Sequence, residues 1–276
     1  MTHMIYVVPS LKAKEKLQCE GKAWAESQDF AYVPRGKRTI QNLMDEYGED
    51  FLVYSSRGPQ IDRPEGSHFF SLNMAELRIQ NLRKGQCDHL LEALMGVKEY
   101  DLRPAAAQPP ISVLDCTCGF GADAAVASFG LPAGSRVDAL EVSPLLEAVT
   151  AWGFSHFVHK KDDVTAALRR ISLRCSDYRD YLLSDEGPVY DVLYFDPMFQ
   201  RPVEASCQFQ PVRAIMEHGG LTRDLIERAL QKARRRVVIK ERDFRQLCRD
   251  FPDVTLYGGK YSRIGYAVLE CDSWKK

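Results

Sequence analysis

The sequence predicts an α/β fold: a doubly wound, mostly parallel sheet with an antiparallel C-terminal edge hairpin, plus a smaller N-terminal α/β region. Three observations carry this expectation. From Ile111 onward, short apolar runs alternate with helical segments, which is the rhythm of βαβ units. Residues 103–110, RPAAAQPP, form a proline- and alanine-rich linker just before that rhythm begins. The last two apolar runs flank Gly258 and Gly259, so they fold back as a hairpin. The expected division is an N-terminal α/β region over residues 1–104 and a second domain over residues 105–276.

The elements follow in order. MIYVV, residues 4–8, reads as a strand ended by Pro9. LKAKEKLQCEGKAWAESQD is helical, with Leu17 and Trp24 among its apolar positions. AYVPRGKRTIQNLMDEYG passes through a basic turn into a helix that stops at Gly48. Residues 50–70 look like strands separated by turns at Gly58-Pro59 and at Pro64-Glu65-Gly66. NMAELRIQNLRKG is a helix that Asn73 caps and Gly85 ends; Asp88 starts a shorter one that ends at Gly96. The second domain then reads ISVLD, a glycine turn, ADAAVASFG, RVDALEV, SPLLEAVTAWGFSHF, ISLRC, SDYRDYLL, YDVLYFD, GGLTRDLIERALQKA and RRVVIKE. Parallel sheets of this kind bind ligands beyond the carboxyl ends of their strands.

Composition narrows the function classes. Net charge is −1, so bulk electrostatics announces no polyanion binder. Residues 200–249 nevertheless carry twelve Lys and Arg against six Asp and Glu, which places a basic segment directly after DVLYFDPMFQ. Eight cysteines show no CxxC pair, and the six histidines show no HExxH, so no metal site is expected. Reduced, mostly buried thiols fit a cytoplasmic protein. No run approaches the ~18 apolar residues of a transmembrane helix, and the N-terminal apolar run is too short for a signal peptide. No GxSxG elbow is present.

Two strand ends carry candidate chemistry. In VLDCTCGFGADA, Gly119, Gly121 and Ala124 fit the spacing GxGxxG/A, which lets backbone approach a ligand at a helix N-terminus. Asp115 closes the strand before it. Asp123 lies in the first helical turn, where it also complements the helix dipole. Glu141 follows Gly121 by twenty residues at the end of the next strand, where a carboxylate accepts from ribose hydroxyls; a helix-capping Glu is the plainer reading. Asp196 ends the run VLYF and precedes Pro197, which stops the ladder. An acid, a proline carbonyl and Phe199 can hold a planar amine: two acceptors orient the NH₂ while the ring stacks. An ordinary strand-terminating Asp-Pro turn is the alternative. Lys240, at the end of the following strand, faces the substrate or neutralises Asp196 or Glu241. The basic turn PRGKR, residues 34–38, is either a phosphate contact or an exposed loop.

The motifs LDCTCGFGADA, LEVSP and YFDPMF resemble class I S-adenosylmethionine-dependent methyltransferases. More narrowly, with RRVVIKERDF and YGGKYSRIGYAVL, the chain resembles the RsmJ-like family, which methylates the exocyclic amine of a guanosine in small-subunit ribosomal RNA. Its start, YVPRGKRTI, is similar to a less characterised Gram-positive branch. The resemblance implies a Rossmann-like fold, S-adenosyl-L-methionine as cofactor, and ribosomal RNA or the small ribosomal subunit as partner, with no membrane. It places Ala122 and Asp123 at the cofactor after the glycine turn, Glu141 and Val142 at the ribose, Ser176 and Asp177 beside the adenine, and Asp196 between cofactor and substrate amine. The family usually carries Arg where Ala122 stands and Pro where Gln200 stands. Other expectations are a methyltransferase of this fold acting on DNA, protein or a small amine, a non-enzymatic RNA-binding module, and a dehydrogenase.

Overall fold

The computed structural model describes residues 4–100, 108–197, 220–258 and 264–274. In chain order the elements are β1 (Tyr6–Pro9), α1 (Glu15–Ser27), β2 (Ala31–Tyr32), α2 (Ile40–Tyr47), β3 (Phe51–Ser55), β4 (Gly58–Arg63), β5 (Gly66–Phe69), α3 (Asn73–Arg83) and α4 (His89–Met95). Then come β6 (Ser112–Asp115), α5 (Ala122–Gly130), β7 (Arg136–Glu141), α6 (Pro144–His156), α7 (Asp162–Arg169), β8 (Ile171–Cys175), α8 (Tyr178–Leu183) and β9 (Val192–Phe195). The chain continues through α9 (Arg223–Lys232), β10 (Arg236–Glu241), α10 (Arg245–Asp250), β11 (Thr255–Gly258), β12 (Gly265–Glu270) and α11 (Cys271–Trp274). These elements form two compact units.

The first unit holds β1 to β5, α1, α2 and α6. Its sheet runs β2-β1-β3-β4-β5, parallel at β2-β1-β3 and antiparallel from β3 onward. Alternation along the strands sends side chains to opposite faces. Val8, Phe51 and Val53 pack with Leu43 of α2, and Val7 and Tyr54 pack with Ala25 of α1. The turn between β3 and β4 lies at Ser56-Arg57 rather than at Gly58-Pro59, which instead open β4. Gly58 is at φ +87°, and a Cβ there would come within 2.6 Å of the Trp152 ring on α6. Glycine at that point therefore serves close packing as well as backbone conformation. Gly153 gives room to Phe70, which packs edge-on against Phe154 and Phe157.

The second unit holds the remaining elements around a seven-stranded sheet ordered β8-β7-β6-β9-β10-β12-β11. Strands β8 to β10 are parallel, and β12 and β11 pair antiparallel at the edge, as the sequence predicted. The chain winds outward from β6 through β7 to β8, then crosses to β9 and β10. The switch point lies between β6 and β9, where such sheets open a crevice at their carboxyl ends. One face buries Leu114, Leu140, Leu193, Phe195, Val237 and Ile239 under α8 and α9. Each fully buried Leu or Phe contributes about 1.5–3 kcal/mol. This core makes the strand ends a rigid platform.

Several local expectations change. Asn73 is the first residue of α3 and makes no cap, because Leu72 occupies the cap position. Asp88 does cap α4, accepting from the Leu90 N–H, and Gly96 ends it in the left-handed region. Helices α7, α10 and α11 had no clear signal in the sequence. Among the described cysteines, Cys116, Cys118 and Cys271 are buried but Cys19, Cys87, Cys175 and Cys248 are exposed, so burial is not the rule. Arg35 of the basic turn is buried. Arg38 is spent on Glu46, Tyr47 and the turn's own carbonyls, which leaves Lys37 as the turn's exposed cation.

Candidate active site

The candidate residues lie at the carboxyl ends of β6, β7, β8, β9 and β10, all within the second unit. Asp115 ends β6 fully buried, and its Oδ1 accepts from the Thr117 N–H at 3.1 Å. The Thr117 hydroxyl in turn accepts from the Asp196 N–H at 2.7 Å. That bond ties the end of β9 to the turn after β6, across the switch point.

The glycine turn is built for close approach. Gly119 is at φ +54° and Gly121 at φ +75°, both in the left-handed region that side chains disfavour. A Cβ on Gly119 would meet nothing nearer than the Thr117 carbonyl oxygen at 3.9 Å, so the turn faces open space. Gly121 takes the cap position of α5, and Ala122 and Asp123 are its first helical residues. Their backbone N–H groups have no intrahelical acceptor and carry the positive end of the dipole. Glu141 ends β7 buried, and its Oε2 accepts from the Gly119 N–H at 2.9 Å. Val142 follows it half-buried. The Glu141 carbonyl accepts from the Ser176 N–H at 3.0 Å, which draws the end of β8 alongside. Asp177 caps α8 through the Arg179 N–H and also pairs with the Arg179 guanidinium. Burial pushes its carboxyl up, but the hydrogen bonds from Arg179 outweigh this and hold it below the ordinary range.

Asp196 sits half-buried just past β9, with Pro197 beside it. Phe199 lies outside the described residues. The Asp196 Oδ2 accepts from the Lys240 ammonium at 2.7 Å, and the same ammonium donates to Asp123 Oδ2 at 2.7 Å. Asp123 also accepts from the Tyr194 hydroxyl at 2.7 Å and from Arg78. Arg78, on α3, grips Asp88 with two bonds of 2.7 Å. The Asp123 carboxylate is thus engaged inside the protein, and what it retains for a ligand is its backbone N–H.

Electrostatics separates these acids. Burial pushes Asp115 well up, and the nearby Asp123 and Asp196 add to the effect. Asp123 is driven the other way: burial opposes ionisation, but Lys240 and Arg78 more than compensate. Asp196 stands between them. Its carboxyl is raised, because burial, with Asp123 and Glu241 nearby, outweighs the lowering by Lys240. Lys240 is held firmly charged, since the two acids outweigh its burial. Tyr194 and Tyr266 are pushed up by burial and stay neutral.

The sequence reading missed Arg78 and Thr117. Thr117 was legible as the polar residue between the strand end and the glycines. Nothing in the spacing of α3 distinguished Arg78 from a solvated arginine. His159 is largely buried against Glu76 at 3.0 Å. Among the described residues there is no cluster of metal-ligating groups, and no helix is long and apolar enough to cross a membrane.

The donor set suits S-adenosylmethionine: an open glycine turn, a helix N-terminus for a carboxylate, and an acid at the second strand end for ribose hydroxyls. Comparisons with known proteins agree. The chain is 28% identical over 236 residues to the uncharacterized protein YpiP of Bacillus subtilis, covering 85% of this chain and 88% of that one. It is 32% identical over 133 residues to the ribosomal RNA small subunit methyltransferase J of Thioalkalivibrio sulfidiphilus, covering 47% of this chain and 51% of the relative. The match therefore spans about half the length of that relative. The crystal structure of the SAM-dependent methyltransferase NGO1261 from Neisseria gonorrhoeae shares the fold, with a TM-score of 0.62 at 18% identity, over 96% of this chain and 95% of that one. The family described as "Putative SAM-dependent methyltransferase" matches residues 89–264, which contain the glycine turn, Glu141, Asp196 and Lys240. By that match the chain belongs to the SAM-dependent methyltransferases.

Proposed function

We propose that this methyltransferase modifies the exocyclic amine of a guanosine in small-subunit ribosomal RNA, in the cytoplasm. The observation that carries the amine is Asp196. It is a half-buried carboxylate beyond the end of β9, and its Oδ1 has no partner among the described residues. The relative named as a ribosomal RNA small subunit methyltransferase supports the RNA class.

The cofactor supplies an electrophilic methyl group on a sulfonium. The protein's residues bind and orient. The N–H groups at the start of α5 receive the carboxylate of the methionine part, and Gly119 and Gly121 admit it closely. Glu141 accepts from the ribose hydroxyls, with Val142 beside the sugar. Ser176 and Asp177 are assigned to the adenine amine; the Asp177 carboxylate accepts from Arg179 on both oxygens, so one of those bonds would yield to the amine. Asp196 and the Pro197 carbonyl accept the two N–H bonds of the substrate amine, and Phe199 stacks on its ring. This turns the nitrogen lone pair toward the methyl carbon. With the amine so held, its nitrogen would form the new N–C bond while the C–S pair would stay with the cofactor's sulfur, and the nitrogen would then lose a proton to solvent. The region of residues 1–104 is assigned to substrate recognition.

The test is transfer of radiolabelled methyl to small-subunit RNA from cells lacking this gene, followed by mapping of the modified nucleotide. Asp196→Ala should lose at least about 10²-fold in turnover, the scale of a misplaced reactant, while still binding S-adenosylhomocysteine in calorimetry. Unchanged turnover would remove Asp196 from the mechanism, and methyl transfer to DNA or protein alone would remove RNA.

A further inference from the structure

We propose that Lys240 is the positioning residue of this reaction: held by Asp123, which Arg78 braces from the other side, its ammonium takes Oδ2 of Asp196, so that the acid meets the substrate amine ionised and with Oδ1 left for it. The inference rests on the reading of Asp196 as acceptor of the substrate amine.

The geometry is a run of alternating charge. Asp88 grips Arg78, Arg78 reaches Asp123, Asp123 and Asp196 share the Lys240 ammonium, and Asp196 ends the run at the strand end. Three acids stand against two cations, which leaves one negative charge. An ammonium has three donors. Two of those on Lys240 go to carboxylates at 2.7 Å each, so its position is set from both sides. Lys240 comes from β10, the neighbour of β9, and is largely buried, as is Asp123. The far end of the run is anchored on α3 and at the cap of α4, so the clamp does not depend on the loop that follows Asp196.

The chemistry requires such a clamp. A protonated Asp196 would offer a donor where the amine needs an acceptor. It would also lose its attraction for a nitrogen that becomes positive as it takes the methyl group. The groups facing Asp196 mostly favour its protonation: Asp115 from β6, Asp123 from α5 and Glu241 from β10 are acids, and Tyr194 and Tyr266 are neutral. Among the described residues Lys240 is the cation in contact with it, with Arg78 behind Asp123. Without Lys240 the carboxyl would lose the cation that favours its ionised form, and its plane would no longer be fixed.

The test uses the full chain with Lys240→Met, Lys240→Arg and Asp196→Ala. Calorimetry with S-adenosylhomocysteine first confirms that each variant is folded; Lys240→Gln replaces Lys240→Met if that one is not. Turnover on unmodified small-subunit RNA is then followed from pH 6 to 9.5. An opposite charge in contact lowers an aspartate by about 1–3 pH units. The acidic limb of kcat should therefore move up by that amount in Lys240→Met and recover toward wild type as pH rises, while Lys240→Arg keeps the limb near its original place. Independently of any substrate, carbon-13 titration of the aspartate carboxyls should show the Asp196 signal, identified by its absence in Asp196→Ala, moving up by the same amount. A loss in Lys240→Met that is equal at every pH, with the Asp196 titration unmoved, overturns the inference while an inactive Asp196→Ala leaves the proposed site standing. A fully active Asp196→Ala sinks both.

Discussion

At the scale of single residues, the site depends on what glycine permits and what aspartate is prevented from doing. Gly119 adopts φ +54° with open space where a side chain would project. In Gly119→Ala the left-handed backbone costs about 1 kcal/mol, and at the proposed cofactor site the new methyl would also enter the ligand's space. The expected result is a small loss in denaturant stability and a loss of more than about tenfold in S-adenosylhomocysteine affinity, tenfold being 1.4 kcal/mol. Equal losses in both would mean that the turn does not face the cofactor. Three aspartates within the same few strand ends behave differently for stated reasons. Asp115 has burial and only a backbone donor, Asp123 has two cations, and Asp196 has one cation and partial exposure. The sequence showed all three as acids at strand or helix ends. It did not show that the Asp123 side chain is committed inward, because its partners lie 45 and 117 positions away in the chain.

At the scale of elements, α3 and α4 do more than lead into the sheet. Asp88 caps α4 and at the same time holds Arg78, which is largely buried on α3 and reaches Asp123 on α5. Asp88→Ala removes a cap worth about 1 kcal/mol and strips a largely buried guanidinium of one of its two carboxylates, which costs less than the ~3 kcal/mol of an uncompensated buried charge because Asp123 remains. The sum should appear as a marked fall in the urea midpoint of the second unit. Asp88→Asn should lose less, because the amide oxygen still caps the helix. The cap at Asp88 and the stop at Gly96 were legible in the sequence, since both are local chemistry. The cap expected at Asn73 was not formed: Leu72 takes that position and Asn73 begins the helix. The turn expected at Gly58 was misplaced by one or two residues, because Gly58 is needed for the approach of Trp152, a contact from α6 far along the chain.

At the scale of the whole molecule, the two units respond differently to acid. In the first unit, burial pushes His68 down to about 4, below the ordinary value of about 6.5. The unfolded chain then takes up that proton first, so stability is full above about pH 6.5 and falls as pH drops toward 4, by about 3 kcal/mol at most. In the second unit the folded Asp123 lies below its unfolded value. Its contribution is present above about pH 4 and lost only below it. Hydrogen exchange at stepped pH should therefore show β5 losing protection between pH 6.5 and 4 while α5 holds until lower pH. His68→Gln should remove the earlier loss. Simultaneous loss in both units, unaltered by the substitution, would refute the assignment.

The sequence by itself determined the alternating second unit, its edge hairpin, the glycine turn and the acids at the strand ends. Each of these is written in short-range patterns: hydrophobic rhythm, turn residues, and charged residues at the point where an apolar run stops. The class of cofactor followed from the family resemblance that those motifs carry. Only the tertiary structure decided which charges meet. Arg78, Asp123, Lys240 and Asp196 come from four different elements, and the parallel winding of the sheet brings them together at the switch point. Contacts of that separation depend on strand order and register, which no local pattern encodes. The arginines of PRGKR, which the sequence left as a phosphate contact or an exposed loop, are engaged by near neighbours: Arg35 is buried and Arg38 pairs with Glu46 and Tyr47.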